Sequence, residues 1–484
     1  MLFLKPVIFK NKFFKTLLYW RKVFVSAFII SCFSTLAWSG GERPSFQPSR
    51  YEENFQFLKD PNQRIDCFDP LKFIPLNKSA SAYLTLGGET RQHYEYIDNN
   101  NWNKEAQDSN GYYLQRYLSH ADLHLGGSIR LFGQLMSGVE TGRNGGPRGV
   151  DQDSFDLNQG FFDIQLWNKP GQLLIARVGR QEIVFGSRRF LNYRERPNLR
   201  LSHDGVTGIF RAGKWDVSVF GARPVTIKQS SFNNISENSN TIWGLYSVRR
   251  QLPVKYISLS SDLYYLGLNN RSGVYDQGRA EETRHTIGIR LWGKRKNLDY
   301  DFEFLYQFGT FGRGNINAYA LASNTGYTIP IEGKGKVRFS LRADVYSGDD
   351  DPSDSDLNSF NPFFPKGKHI SQLAASGLIN QRDLHPRIAW TLNDHWFITA
   401  STLFIWRDSP NDGIYSIANG LLRSGQSSEA RYVGVQPELE IKYTFNRHLD
   451  LKGTFVYFSA GKFLKEASLG RDITYLASML TFRF

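Results

Sequence analysis

The chain of 484 residues has only two cysteines, and its only long apolar run lies near the N-terminus. So few cysteines exclude a disulfide scaffold. A bundle of membrane helices is excluded too, because each span needs about 18 or more consecutive apolar residues, and only residues 23–38 approach that length. The sequence is nevertheless 15% aromatic, which excludes intrinsic disorder. The classes of protein that remain are a large soluble protein and a β-barrel with dispersed apolar residues.

The N-terminus has the organisation of a secretory signal peptide. An apolar segment over 23–36 and a small-x-small site, Ala37-Trp38-Ser39, follow a basic stretch without acidic residues. The basic residues are Lys5, Lys10, Lys12, Lys15, Arg21 and Lys22. We therefore predict a signal peptide over 1–39, cleaved near Ser39. Export and the loss of these six charges leave no reason to expect a nucleic-acid partner.

From Tyr83 onward the apolar residues recur with a period of two. In 336–346, for example, Val337 and Phe339 alternate with Arg338 and Ser340, which predicts a strand with one apolar and one polar face. Eighteen such strands can be placed, an even number, including strands at 171–187, 200–212, 254–269 and 281–295. Long helical patterns do not interrupt them.

The predicted connections alternate between tight turns, such as Gly126-Gly127, and mostly long loops, of which 349–380 is the longest. Outer-membrane barrels have short periplasmic turns and long extracellular loops. The sequence therefore predicts an all-β fold, a transmembrane antiparallel up-and-down β-barrel of about 18 strands over 81–484. It would lie in the outer membrane of a Gram-negative bacterium and contact its lipid. An N-terminal periplasmic segment over 40–80 precedes it, and its proline-rich part, 42–64, is expected to be poorly ordered.

The polar face of such a barrel lines a lumen, and here it is rich in arginine. Arginine stays ionised and binds carboxylates through two parallel hydrogen bonds, and rings of arginine and lysine select anions. We predict an anion-selective pore; the alternative is that ion pairs only hold the lumen together. The predicted pore-lining residues are Arg116, Arg130, Arg180, Arg188, Arg189, Arg194, Asp204, Arg338, Arg342, Asp344 and Arg387. The facing of Arg180 is undecided, because its strand is nearly apolar throughout.

Several motifs resemble those of the alginate export family of outer-membrane porins. They are Arg177-Val178-Gly179-Arg180-Gln181-Glu182, Phe185-Gly186-Ser187-Arg188-Arg189-Phe190, Ser202-His203-Asp204-Gly205, Asn361-Pro362-Phe363-Phe364-Pro365 and Asp383-Leu384-His385-Pro386. The resemblance extends over 69–484 and implies an eighteen-stranded barrel whose arginine-rich constriction passes an anionic uronate polymer. It also implies pore-lining roles for Arg180, Arg188, Arg189, Asp204, Arg338, Arg342, Asp344 and Arg387. The chain departs from the family at Arg196, where glycine is frequent, and at His203, where phenylalanine is common.

The predicted function is thus an outer-membrane channel for an anionic polysaccharide or uronate, acting as a monomeric barrel. A general anion-selective porin for small solutes is one alternative, and a barrel enzyme or receptor closed by the 349–380 loop is another. No catalytic residue is predicted: Ser202, His203 and Asp204 cannot form a triad, because consecutive strand residues face opposite sides. A periplasmic export partner is left open.

The longest loop is also acidic. Asp349, Asp351 and Asp354 are a candidate calcium site, the alternative being a merely solvated acidic loop. No other cofactor is predicted.

Overall fold

The computed structural model describes residues 43–105, 107–108, 110–252, 254 and 257–484. The predicted signal peptide over 1–39 lies outside them. The described residues form one large antiparallel sheet with eighteen long strands. These strands are β1 (Ala82–Asp98), β2 (Tyr112–Leu125), β3 (Ile129–Thr141), β4 (Asp153–Lys169), β5 (Gln172–Gln181), β6 (His203–Ala212), β7 (Trp215–Thr226), β8 (Asn240–Arg249), β9 (Ser258–Tyr275), β10 (Gly278–Arg295), β11 (Leu298–Phe311), β12 (Gly314–Pro330), β13 (Lys336–Tyr346), β14 (Gln381–Thr391), β15 (Trp396–Trp406), β16 (Tyr432–Thr444), β17 (Leu449–Ala460) and β18 (Ile473–Arg483).

Each long strand pairs with its neighbours in sequence, and the last strand closes the sheet against the first. Along this closing seam the register runs from Glu89 opposite Arg483 to Asp98 opposite Thr474. Closure pairs every strand on both sides and leaves no exposed sheet edge, which a membrane requires. The predicted all-β, eighteen-stranded antiparallel barrel is therefore confirmed. Among the described residues, no helix has the length and apolar character needed to cross a membrane.

Strand alternation separates an apolar outer face from a polar inner face. Phe302 and Leu341 are 49% and 48% exposed, whereas Glu303 and Arg342, next to them in sequence, are buried. Large apolar side chains on the outside of a closed barrel form the belt that meets lipid. The polar groups of the inner face then need hydrogen-bond partners from other parts of the chain or from water.

Short turns lie at one end of the barrel and most long loops at the other. The predicted loop over 270–280 is wrong, because β9 and β10 continue to a two-residue turn at 276–277. A bulge between Asn270 and Gly273 carries β9 through this polar stretch. With 18 residues each, these strands extend about 60 Å, and their tip stands above an apolar belt of about 25 Å.

Short elements occupy the connections and the N-terminal segment. The helices are Asp69–Lys72, Asn100–Asn103, Gly367–Ile370 and Lys462–Ala467, and the 3-10 turns are Arg50–Glu52, Gln56–Lys59, Pro61–Gln63 and Gly425–Ser427. Two-residue and three-residue strands lie at Ile74–Pro75, Ile235–Ser236, Ile414–Tyr415 and Leu421–Arg423.

Residues 43–59, which we call the N-terminal strap, run along the inner wall at the short-turn end. The Arg50 guanidinium donates to the Gly88 carbonyl at 3.0 Å and to the Phe484 carbonyl at 2.7 Å. The Tyr51 ring packs edge-on against Phe132 and Phe161, which face the lumen from β3 and β4. The expectation that 42–64 is poorly ordered is therefore wrong for residues 43–64, because lumenal arginines and aromatic rings give this polar segment partners.

At the other end, the loops 347–380 and 407–431 pack on each other through a buried carboxylate. Asp412 accepts hydrogen bonds from the Asp349 backbone N–H at 3.0 Å, from Ser359 Oγ at 2.6 Å and from Tyr415 Oη at 2.5 Å. Burial raises the pKa of Asp349 to about 7 and that of Asp412 to about 6, and Asp412 also raises the pKa of Asp349.

This pair predicts that the packing of the two loops depends on pH. Between about pH 4 and pH 7 the folded loops bind more protons than unfolded loops, so their stability is greatest below pH 4 and falls as pH rises to 7. After correction for intrinsic rates, amide exchange in 347–380 should be slower at pH 5 than at pH 8. Asp349→Asn should flatten this dependence and the exposed Asp351→Asn should not; equal exchange in the wild-type protein at both pH values would contradict the prediction.

Candidate functional site

The loop between β5 and β6, residues 182–202, folds into the lumen, and we call it the inner loop. Phe185 stacks on Tyr246 with ring centroids 4.9 Å apart, and Tyr246 stacks on Tyr264 at 4.8 Å. Arg189 makes a buried ion pair with Glu303. These lumen-facing side chains of β8, β9 and β11 hold the first half of the inner loop against one wall.

The second half of the inner loop reaches the wall formed by β1 and β2. The Glu195 carboxylate binds both Arg116 of β2 and Arg200 of the inner loop. Arg91 of β1 donates to the Glu195 carbonyl at 2.9 Å and to the Pro197 carbonyl at 2.8 Å. The inner loop is therefore fixed on two separate parts of the wall and narrows the lumen.

The loop 347–380, which we call the long loop, also enters the lumen and pairs with the inner loop. The Asn192 N–H donates to the Phe364 carbonyl at 3.1 Å, and the Phe364 N–H donates to the Phe190 carbonyl at 3.0 Å. The Gln372 N–H binds the Glu438 carboxylate of β16 at 3.0 Å. The two loops together form a constriction that is anchored by backbone hydrogen bonds.

Three basic side chains at this constriction have no carboxylate partner, and we call Arg188, Lys366 and Arg387 the basic trio. None of the three makes an ion pair with any residue that the structure describes. Arg188 donates to Tyr193 Oη at 3.3 Å, and Arg387, exposed on the lumenal face of β14, approaches Thr399 Oγ1 at 3.4 Å. Such charges act on any ion that passes within about 8 Å at physiological salt.

Arg188 and Arg387 both act electrostatically on Lys366, the third member of the basic trio. Burial lowers the pKa of Lys366, and the neighbouring charges of Arg188 and Lys368 lower it further; the Glu195 carboxylate acts in the opposite direction, and Arg387 makes a smaller lowering contribution. Like charges held together without a directly bound carboxylate attract mobile anions. The trio therefore adds positive charge at the constriction.

Charged residues continue along β16 and β17 toward the short-turn end. Glu440 of β16 binds Lys368 at 3.0 Å and lies 3.7 Å from Lys452 of β17. Glu438 and Lys442 share the same inward face of β16. Acidic and basic groups are thus mixed along this part of the wall.

Most of the predicted pore-lining arginines do face the lumen but are neutralised there. Arg116 pairs with Glu89 at 2.6 Å, Arg130 with Asp122 at 2.7 Å, Arg338 with Asp299 at 2.6 Å, and Arg342 with Asp383 at 3.1 Å and Asp344 at 3.2 Å; Arg189 pairs with Glu303. For these residues the structure fits the alternative stated above, in which ion pairs hold the lumen together.

Arg180 and Asp204 do not line the pore. They pair with each other at 2.8 Å and share the outer face of β5 and β6 with Val178 and Val206, which are exposed. Their partners lie in the connection between β7 and β8, where the Ser236 hydroxyl binds Asp204. Because β5 is nearly apolar throughout, its sequence has no alternation that predicts which face of the sheet carries Arg180.

Arg194 lies on the inner loop with its guanidinium carbon 5.5 Å from the centroid of the Phe364 ring. Its backbone φ of 58° lies in the left-handed region, which non-glycine residues seldom adopt. Arg194 therefore contributes to the contact between the inner loop and the long loop. The predicted set missed Lys366 and Glu195, because nothing in the local sequence shows that these two loop residues enter the lumen.

The three aspartates of the candidate calcium site are not brought together. Asp351 caps its own turn through Ser353, Asp354 accepts from the Asp356 N–H at 2.8 Å, and Asp349 is buried against the other loop. Within the part of the chain that the structure describes, no group of three or more histidine, cysteine or acidic side chains is suited to hold a metal. Calcium binding therefore stays a prediction without geometric support.

A closed barrel with an apolar belt, a polar lumen and a loop-built constriction is the architecture of an outer-membrane channel of the porin type. Solved porins have the same fold. Pseudomonas aeruginosa OpdK, crystallised with vanillate, gives a TM-score of 0.57 at 10% identity over 83% of this chain and 98% of its own. P. aeruginosa OccK8 (OprE) gives 0.55 at 11% identity over the same shares, and a BenF-like porin of Pseudomonas fluorescens Pf-5 gives 0.54 at 10% identity, also over 83% and 98%.

Sequence comparison narrows this class. The profile of the family described as alginate export matches residues 82–476. The chain belongs to the alginate export family, as its motifs indicated. No curated protein matches it. The family and the fold support an outer-membrane channel and a transporter rather than an enzyme.

Proposed function

We propose that the protein conducts an anionic polysaccharide or its uronate oligomers, alginate-like in chemistry, through the constriction between the inner loop and β14. The observation that carries this proposal is the basic trio: Arg188, Lys366 and Arg387 make no ion pair with a described carboxylate, whereas five of the predicted pore-lining arginines, Arg116, Arg130, Arg189, Arg338 and Arg342, are neutralised. Membership of the alginate export family supports the same substrate class.

The mixture of basic and acidic groups along the lumen supports a chain-like cargo. A uronate polymer carries one carboxylate per sugar and hydroxyl groups between them. The basic trio would bind the carboxylates, and Glu438 and Glu440 would accept hydrogen bonds from hydroxyls and discourage strong retention. Conduction needs binding that is favourable enough for the cargo to enter yet weak enough for it to leave. Delivery by a periplasmic partner and removal of the signal peptide near Ser39 belong to this proposal.

A general porin for small anions is the second candidate, favoured by the likeness to solved porins such as OpdK. Reconstitution in planar bilayers distinguishes the candidates. A reversal potential shifted toward chloride, together with block by oligouronates but not by neutral oligosaccharides of equal length, supports the proposed channel. Chloride selectivity without block would favour the small-solute porin. Cation selectivity or absent conductance would refute both.

A further inference from the structure

A cavity of about 440 Å³ lies between the N-terminal strap and the wall near β16–β18, on the short-turn side of the constriction. Residues 43–48 of the strap form one side of it, and Lys442, Thr444 and Arg483 lie on the other. Its volume falls within the range of about 300–1,000 Å³ that small-ligand pockets occupy. We call this cavity the vestibule; it has room for a short stretch of a sugar chain.

The arginines of the vestibule are already neutralised. Arg43 pairs with Asp69 at 2.6 Å, Arg200 with Glu195 at 2.7 Å, Arg483 with Asp450 at 2.6 Å, and Arg447 lies 3.7 Å from Asp66. Each carboxylate in these pairs is in turn neutralised by its arginine. The arginine pairs therefore shape the walls and supply little net attraction for an anion.

Lys442 is different. Among the described residues its ammonium group meets no carboxylate and no hydrogen-bond acceptor, and its nitrogen lies 5.5 Å from the centroid of the Phe397 ring. The side chain is only partly exposed on the inward face of β16. A cation held partly out of water without a counterion gains from a carboxylate placed beside it.

A second lining group lacks a partner. Thr444, two residues further along the same inward face, has a buried hydroxyl oxygen without a hydrogen-bond partner in the described part of the chain. Thr444 and Lys442 both line the vestibule, and residues two apart on a strand stand about 6.5 Å apart. An acidic sugar offers a carboxylate and hydroxyl groups at comparable spacing, which matches this pair of unsatisfied groups.

We propose that the vestibule is a binding subsite for one acidic sugar of the cargo, in which Lys442 binds the carboxylate and Thr444 a hydroxyl group. The subsite rests on the proposed function and adds to it a binding step that the cargo makes before it reaches the constriction. Short turns face the periplasm in outer-membrane barrels, so this subsite meets the cargo from the periplasmic side, with the N-terminal strap as one wall.

The subsite predicts a block that depends on the side of addition. In planar bilayers with oriented channels, a mannuronate tetramer added at the short-turn side should block the wild-type current. Lys442→Gln should weaken this block at least about five-fold, Lys442→Arg should retain it, and Thr444→Val should weaken it about two-fold. Block by the same tetramer from the long-loop side should change much less in Lys442→Gln.

Lys462→Gln, on the exposed helix of the connection between β17 and β18, is the matched control and should leave both blocks unchanged. Unaltered short-turn-side block in Lys442→Gln would overturn the subsite, even where chloride selectivity upholds the proposed function. If the wild-type channel selects cations and is not blocked from either side, the proposed function fails, and the subsite fails with it. Loss of folding is checked by the heat-modifiable migration of each variant on gels.

Discussion

Replacing Lys366 and Arg387 together with glutamate should reverse the ion selectivity of the channel. At an effective dielectric constant of about 20, one unit charge acts on an ion 8 Å away with about 2 kcal/mol. Because neither side chain makes an ion pair with a described carboxylate, its charge is less compensated than that of the paired lumenal arginines, and the double variant should lower the chloride-to-potassium permeability ratio at least about ten-fold. The measurement is the reversal potential across a potassium chloride gradient.

A double variant with the same change of net charge provides the control. Lys214→Glu with Lys334→Glu alters exposed residues in two short turns, outside the constriction. It should leave the permeability ratio within about two-fold of the wild-type value, because salt screens charges beyond about 8–10 Å. An unchanged ratio in the variant of the basic trio, or an equal change in the control, would show that the trio does not set selectivity.

Glu195→Gln should both destabilise the protein and widen the channel. The substitution removes a carboxylate shared by Arg116 and Arg200, which are buried. Breaking a fully buried pair costs about 3–5 kcal/mol. Glu195 is itself partly exposed, and both arginines keep another acidic partner, so we expect about 2 kcal/mol. Urea-induced unfolding in detergent should report this loss, and single-channel recordings should show a larger, noisier conductance because the inner loop is released from β2.

Glu466→Gln is the matched control, because its carboxylate pairs with Lys462 on an exposed helix at 3.7 Å. Exposed pairs of this kind contribute less than about 1 kcal/mol, so stability and conductance should stay close to wild type. A Glu195→Gln protein that is as stable as this control, with unchanged conductance, would mean that the Glu195 carboxylate does not hold the inner loop against β2.

The barrel itself could be predicted from the sequence, because a period of two is a local property. Residues such as Arg338 and Arg342 alternate with Phe339 and Leu341, and burial follows that order in the structure. The ends of β9 and β10 could not be predicted. The polar stretch near Asn270 resembles a loop, and only the pairing with β10 continues it as a strand.

The site was less accessible to sequence reasoning, since it depends on pairings between distant residues. Arg116 and Glu195 are 79 residues apart, and no local pattern links them. The charge of a lumenal arginine is available to passing ions only if no such distant carboxylate neutralises it. Arg342 is paired with Asp383 and Arg387 has no such partner among the described residues, although both follow the same alternating pattern in the sequence. Lys366 was missed because a loop that folds into a lumen has no characteristic period.

The N-terminal strap also constrains the order of folding. Arg50 bridges the carbonyl of Gly88 on β1 and that of Phe484, which lies 434 residues away in sequence. This pair of acceptors exists only once the last strand has joined the first, and contacts of such long range form late because chain closure costs entropy. Docking of the strap through Arg50 therefore requires a closed barrel, and once docked the strap links the first strand to the end of the last across the seam.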